Sequence, residues 1–290
     1  MAEKSTFTQR NKQQVIRSIN KLFEVKDYRE WIEEPYLVYE MLRSAYTNYT
    51  SVYTMLTTLA AIVRDAGLEK AYKDYTNIIE ILRPNYDKIR AEHKATKKQK
   101  DNFVKWDDII KLRDSYKNAT TWSDYQKYIV LGLYTFIEPL RLDYADLKVY
   151  FNAKRPDDNI NYMNITPDMI EINIADHKTA ASSGSLLIVI DDTEPLYKAI
   201  NKFIDMKGSE MREYLLYTPK GLPMDANQLS AYIRSIFLEK FGKGVSVNLI
   251  RHSYYEKYGL NDFSLADAER VGLSSHSMKT GMSYRLQDMK

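Results

Sequence analysis

Cysteine is absent from this sequence of 290 residues, which excludes disulfides, Cys-ligated zinc and thiol nucleophiles together. Long apolar runs are missing as well. The longest, Met55 to Val63 and Tyr128 to Ile137, are too short and too polar to span a bilayer. The opening stretch M-A-E-K-S-T-F-T-Q-R-N-K has no apolar core, so no secretory leader is expected. A strong charge of either sign is lacking. The net +3 neither demands nor excludes nucleic acid, because a local patch matters more than the sum. No carboxylate cluster stands out at ligand spacing, which argues against a metal-dependent nuclease or transposase, and no cofactor is expected. No internal repeat is found. An apolar share of 44% with 28% charged residues belongs to a globular chain, long enough for one large domain or two ordinary ones. These features predict a soluble intracellular protein with no membrane partner. Its 24 tyrosines suit partly buried or DNA-contacting surfaces but also follow from plain composition, so no single tyrosine carries weight alone.

Apolar periodicity predicts four helices in the first third of the chain. Val15, Ile16, Ile19, Leu22 and Phe23 share one face over residues 13–23. Pro35 opens a second helix carrying Leu37, Val38, Met41 and Leu42. A third runs from about Ser51 to Arg64 and stops at Gly67. A fourth lies between Leu68 and Leu82 and is expected to end before Pro84. Residues 1–92 therefore read as a compact helical domain without a catalytic cluster.

Residues 93–105 read as a basic linker. Lys94, Lys97, Lys98, Lys100 and Lys105 crowd a stretch with few apolar residues, which makes it either a solvated connection or a strap across phosphates. Residues 106–290 form the second domain. Trp106 to Tyr116 and Ser123 to Tyr134 look helical, the latter buried. Strand-like pieces follow at Leu147 to Phe151, Tyr162 to Ile165, Met169 to Ile174 and Leu186 to Ile190. The last two flank a polar turn and read as a β-hairpin. After Pro195 the helical pattern returns. Leu215 to Tyr217 is extended, and Asp225 with Gln228 forms a capping box that opens a helix with Leu229, Ile233, Ile236 and Phe237 inward. The expected fold is mostly α with a small antiparallel sheet, a helical domain preceding a mixed α/β one.

The candidate chemistry is concentrated in the second domain. Arg141 stands in L-R-L-D-Y, Lys178 at the hairpin tip in D-H-K-T, and Arg251 in V-N-L-I-R-H-S-Y-Y. His276 follows in S-S-H-S, and Tyr284 lies eight positions beyond it. Breaking a phosphodiester without metal requires permanent cations on the non-bridging oxygens, and two guanidinium forks match that geometry. A lysine or histidine can protonate the leaving oxygen while tyrosine attacks. Free tyrosine has a pKa of about 10, so its activation near neutrality needs cationic neighbours or a base. Taken singly, each of these residues is an ordinary surface or capping residue; their order and spacing carry the signal. His252 points about 100° away from Arg251 on a helix and is expected to be structural.

The pattern of Arg, hairpin Lys, N-x-x-R-H and H-S-x(6)-Y resembles the tyrosine recombinases, or phage-type integrases. E-P-L-R-L-D-Y-A-D-L-K, with H-K-T and V-N-L-I-R-H-S-Y, is similar to the divergent branch of viruses, virophages and related mobile elements. Residues 106–284 resemble the family's catalytic domain and residues 13–90 its helical core-binding domain. The resemblance implies a clamp that closes on double-stranded DNA and self-associates in a dimeric or tetrameric synapse. It implies that Arg141 and Arg251 hold the scissile phosphate, Lys178 protonates the 5′ oxygen, His276 hydrogen-bonds the phosphate, and Tyr284 forms a 3′-phosphotyrosyl ester. No metal or ATP is needed, because the ester keeps the energy of the broken bond. Asn248 departs from the pattern, standing where histidine or lysine is usual. It can donate to phosphate but cannot exchange a proton near neutral pH, so any such duty would pass to Lys178, His276 or water. S-H-S replaces the usual G-H-S, and only R-L-Q-D-M-K follows Tyr284, so the longer tail that family members exchange between protomers is either absent or lies beyond the given sequence. A type IB topoisomerase and a non-cutting DNA-binding protein of recombinase descent are the alternatives.

Overall fold

The structure is a computed structural model that describes residues 6–92, 94–154, 157, 159–177, 180, 184–206 and 213–258. It divides into two compact units, Met1–His93 and Lys94–Lys290.

The first unit is built from α1 (Thr6–Phe23), α2 (Pro35–Ala45), α3 (Tyr49–Asp65) and α4 (Glu69–Ala91), with a 3₁₀ turn at Tyr28–Glu30. The starts of α2 and α3 reflect how orphan N–H groups are dealt with. Pro35 has none to satisfy at the head of α2, and the Asn48 side chain accepts from the Ser51 N–H ahead of α3. Gly67 follows α3 at φ 74°, a left-handed conformation that a residue with a Cβ resists. Ile19, Val38, Leu42, Leu56, Leu59 and Val63 are fully buried in one core. Burial of each such aliphatic side chain contributes about 1.5–3 kcal/mol relative to exposure.

The expected end of the fourth helix before Pro84 is corrected: α4 continues through it to Ala91. Pro84 and Glu80 are both exposed, so the carbonyl deprived of its i+4 donor faces water, which can satisfy it. Before Pro84, α4 buries Ala71, Tyr75, Ile78, Ile79 and Leu82. Beyond it only Tyr86 is partly covered, stacked on Tyr53 with ring centroids 3.9 Å apart.

The second unit contains α5 (Lys97–Asn102), α6 (Trp106–Ser115), α7 (Trp122–Leu133), a sheet of β1 (Lys148–Phe151), β2 (Tyr162–Ile165), β3 (Met169–Ile174) and β4 (Leu186–Asp191), then α8 (Pro195–Asp205), α9 (Ala226–Phe241) and α10 (Val247–Tyr258). The stretch read as a basic linker thus carries a helix of its own. α5 is opened by a reciprocal capping box between Thr96 and Gln99.

α7 is the buried axis of this unit, with Tyr125, Gln126 and every residue from Tyr128 to Leu133 covered. At Gly132 a Cβ would sit 3.3 Å from Phe136 and 3.4 Å from Leu196, so a larger residue would push against the start of α8. Trp122 stacks on Phe203 of α8 at 5.4 Å.

The four strands lie in the order β1-β2-β3-β4. The sheet is mixed: β1 runs parallel to β2, while β2–β3 and β3–β4 are antiparallel. The return that makes β1 and β2 parallel is tied down by Asn164, 2% exposed, whose side chain accepts from the Ala153 N–H and donates to the Ala153 carbonyl. Residues 213–215 flank the other side of β1 through hydrogen bonds from Val149 N–H to the Glu213 carbonyl and from Leu215 N–H to the Leu147 carbonyl.

α9 is opened by the capping box of Asp225 and Gln228 and closed by Gly242 at φ 63°. α10 begins four residues before Arg251, which therefore sits inside the helix. Among the described residues, no helix is long and apolar enough to cross a membrane.

Candidate functional site

The loop after α7 is shaped from within. The fully buried Tyr134 donates its hydroxyl hydrogen to the Arg141 carbonyl at 2.6 Å, which draws residues 135–141 back against the helix end. The Arg141 N–H then donates to Oδ2 of Asp143 at 3.0 Å, so that side chain reaches back two residues along the loop. Tyr144, also fully buried, meets the Tyr134 ring edge-on at 5.4 Å.

α10 is fastened to the same loop. Tyr255 donates to Oε1 of Glu138 at 2.5 Å across 117 residues of sequence. Burial and the Glu138 carboxylate push the Tyr255 hydroxyl far above its usual range, with Arg251 opposing that shift. One turn before Tyr255 lies Arg251, 1% exposed. A guanidinium that far from water needs anionic or polar company, since an uncompensated buried charge is costly. Its electrostatic neighbours include Asp143, Tyr134 and Tyr255.

The β3–β4 connection is attached by Asn161. Its amide donates to the Asp143 carbonyl at 3.1 Å and to the Asp176 carbonyl at 3.2 Å, and its oxygen accepts from the Asp176 N–H at 2.8 Å. His177 follows, with Nε2 2.8 Å from the Gly184 carbonyl; because that oxygen can only accept, Nε2 carries the proton.

Asp143 is the point where these segments meet. Burial raises its carboxyl above the usual value, while the Arg141 N–H and the charges of Arg141, His177 and Arg251 pull the other way. Arg141, His177 and Arg251, from three separate stretches, thus all act electrostatically on one half-buried carboxyl group.

Of the residues expected from sequence, Arg141 and Arg251 both act electrostatically on Asp143. Arg141 is half-buried and Asn248 is exposed, one turn before Arg251. Lys178, His276 and Tyr284 lie outside the described residues. Lys94, Lys97, Lys98, Lys100 and Lys105 are all exposed. His252 is buried at 8% exposure. Glu138, Asp143, Asn161, His177 and Tyr255 are additional members of the site. The carboxylate two places after Arg141 and the histidine beside Lys178 were visible as neighbours of predicted residues, whereas Asn161 and Tyr255 carry no local signal. Among the described residues, no group of three or more His, Asp or Glu is placed to hold a metal ion.

No protein-family model and no curated protein matches the chain. Among solved structures, the crystal structure of XerA recombinase is similar over 99% of this chain and 90% of that one, at 15% identity and a TM-score of 0.44.

Proposed function

We propose that this chain is a tyrosine-type site-specific DNA recombinase, which cleaves and rejoins strands to integrate or excise a viral or mobile element. The observation that supports the reading is that Arg141, Arg251 and His177, the neighbour of Lys178, all act electrostatically on Asp143, while Asn161 bonds the carbonyls of both Asp143 and Asp176. The spacing of His276 and Tyr284 in the sequence supports it independently.

In this mechanism Arg141 and Arg251 bind the non-bridging oxygens of the scissile phosphate, and Asn248 adds a neutral donor. The Tyr284 oxygen attacks phosphorus, the bond to the 5′ oxygen breaks, and that oxygen leaves with a proton from Lys178. The tyrosine proton passes to solvent or a nearby base, and His276 donates to the phosphate as charge builds. The product is a 3′-phosphotyrosyl ester. Attack by a free 5′ hydroxyl, with the proton returning to Lys178, reverses the step on the same or a second duplex. Asp143, Asn161, Glu138 and Tyr255 do not touch DNA; they fix the spacing between Arg141, Arg251 and the Lys178 segment.

Covalent trapping tests the proposal. The full chain is incubated with nicked duplex oligonucleotides in EDTA and denatured in SDS. A protein–DNA band that survives chelation and vanishes in Tyr284→Phe is expected. A band that persists in Tyr284→Phe means another nucleophile, and binding to DNA without any band under every substrate tried sinks the cleavage mechanism. Pairing of two duplexes separates recombination from relaxation of a single duplex by a topoisomerase.

A further inference from the structure

A second cationic feature of the same unit lies apart from Asp143, where α5 meets the α9–α10 loop. Lys100, Lys105 and Lys243 surround a cleft of about 300 Å³ whose apolar lining comes from Phe103, Val104 and Phe241, with Asp108 as its acidic member. That size falls at the small end of ligand pockets. Asp108 is already engaged by Lys111 at 3.2 Å, so the lysines keep an excess of positive charge.

The walls are bonded to each other. Gly242 turns the chain in a left-handed conformation at the end of α9. The Gly244 N–H then donates to Oδ1 of Asn102 at 2.5 Å, and Lys243 Nζ donates to the Phe103 carbonyl at 2.7 Å. A Cβ at Gly244 would stand 2.8 Å from Nε of Arg234, so the loop approaches α9 more closely than another residue could without displacing that side chain. Lys243 spends one of its three protons on Phe103 and retains two for a ligand.

Lysines alone would suit any backbone phosphate. Aromatic walls add nothing to a paired duplex, whose base faces are covered by their neighbours. An unpaired nucleotide uses both kinds of group, with its phosphate on ammonium groups and its base on a ring. We infer that this cleft holds one unpaired nucleotide of the DNA, its phosphate on Lys100, Lys105 and Lys243 and its base against Phe103 and Phe241. The inference rests on the DNA reading above and deepens it, by making unpaired or extruded bases part of the substrate.

The test compares fluorescent duplexes that are fully paired or carry one unpaired thymidine, bound to the full chain under equal salt. The unpaired substrate is expected to bind about tenfold tighter, and Phe103→Leu to abolish that preference while changing affinity for the paired duplex by less than about twofold. Lys105→Ala should weaken both. Thymidine 5′-monophosphate should displace the unpaired substrate at concentrations where inorganic phosphate does not. Thermal denaturation of each variant checks that the fold persists. Equal potency of phosphate and nucleotide, absence of a preference, or a preference that survives Phe103→Leu would overturn the nucleotide site and leave the recombinase reading standing. Failure to bind any DNA would remove both.

Discussion

Two cationic regions of the second unit are built in opposite ways. Around Asp143, Arg251 is 1% exposed and Arg141 half-buried, and the surrounding loop, helix and strand connection are cross-linked by Tyr134, Asn161 and Tyr255. On α5 and just beyond it, Lys97, Lys98, Lys100 and Lys105 are exposed and make no ion pair among the described residues. A buried guanidinium is held in one orientation and feels a low dielectric, so it can discriminate between states of a reacting phosphate. Exposed ammonium groups are mobile and screened, and they act mainly through release of counterions. The same sign of charge is therefore held in place in one region and left mobile in the other.

That division is open to attack at both ends. The largest effect is expected from Arg251→Ala, which leaves Asp143 without one of its cationic neighbours in a buried setting. Urea denaturation should show a loss of about 3 kcal/mol, and covalent trapping should fall to background. Arg251→Lys should recover part of the stability but little of the cleavage, because an ammonium lacks the planar fork. If Arg251→Ala proves as stable as the parent, the buried region is not the rigid element described.

Asp143→Asn tests the carboxyl at the meeting point. Burial holds its folded pKa above the unfolded value, so the folded state grips that proton more tightly. Its contribution to stability is then largest in acid and declines as pH rises from the unfolded to the folded pKa. The amide can still accept from the Arg141 N–H but does not titrate. Melting curves between about pH 3 and about pH 7 should show the variant gaining on the parent as pH rises. The opposite trend would mean that the neighbouring cations outweigh burial.

The smallest change belongs to the exposed set. Lys97→Ala with Lys98→Ala should shift stability by less than about 0.5 kcal/mol. In a salt titration of DNA binding, the slope of log affinity against log salt should become shallower by about 0.9 for each lysine that meets a phosphate. A marked loss of stability would erase the contrast between the two regions.

The helices were readable in sequence wherever a local device marks them. Asp225 with Gln228, Pro35 at a helix start and Gly67 beyond a helix end all act within a few residues. Pro84 misled because its effect depends on which side of the helix faces water, a tertiary fact. The parallel pairing of β1 and β2 was equally hidden, since the hydrogen bonds that hold their connection, from Asn164 back to Ala153, form only on folding. In the site, Arg141 and Arg251 stood out through their spacing. Asn161 and Tyr255 did not, because each works only through partners brought near by folding, Asp143 and Glu138. The sequence order of His276 and Tyr284 remains the ground for their roles.

The path of α4 through Pro84 bears on how the first unit opens. A proline interrupts the cooperative ladder, and here the interruption coincides with the edge of the buried core. Amides before residue 84 are locked by the packing of Tyr75, Ile78, Ile79 and Leu82, so their exchange with solvent deuterium requires unfolding of the unit. Those after it keep the hydrogen bonds of the helix, but their side chains add only the Tyr53–Tyr86 stack and the Arg90 guanidinium 5.7 Å from the Tyr86 ring. Hydrogen exchange is therefore expected to divide one continuous helix into two segments, the outer exchanging faster than the inner.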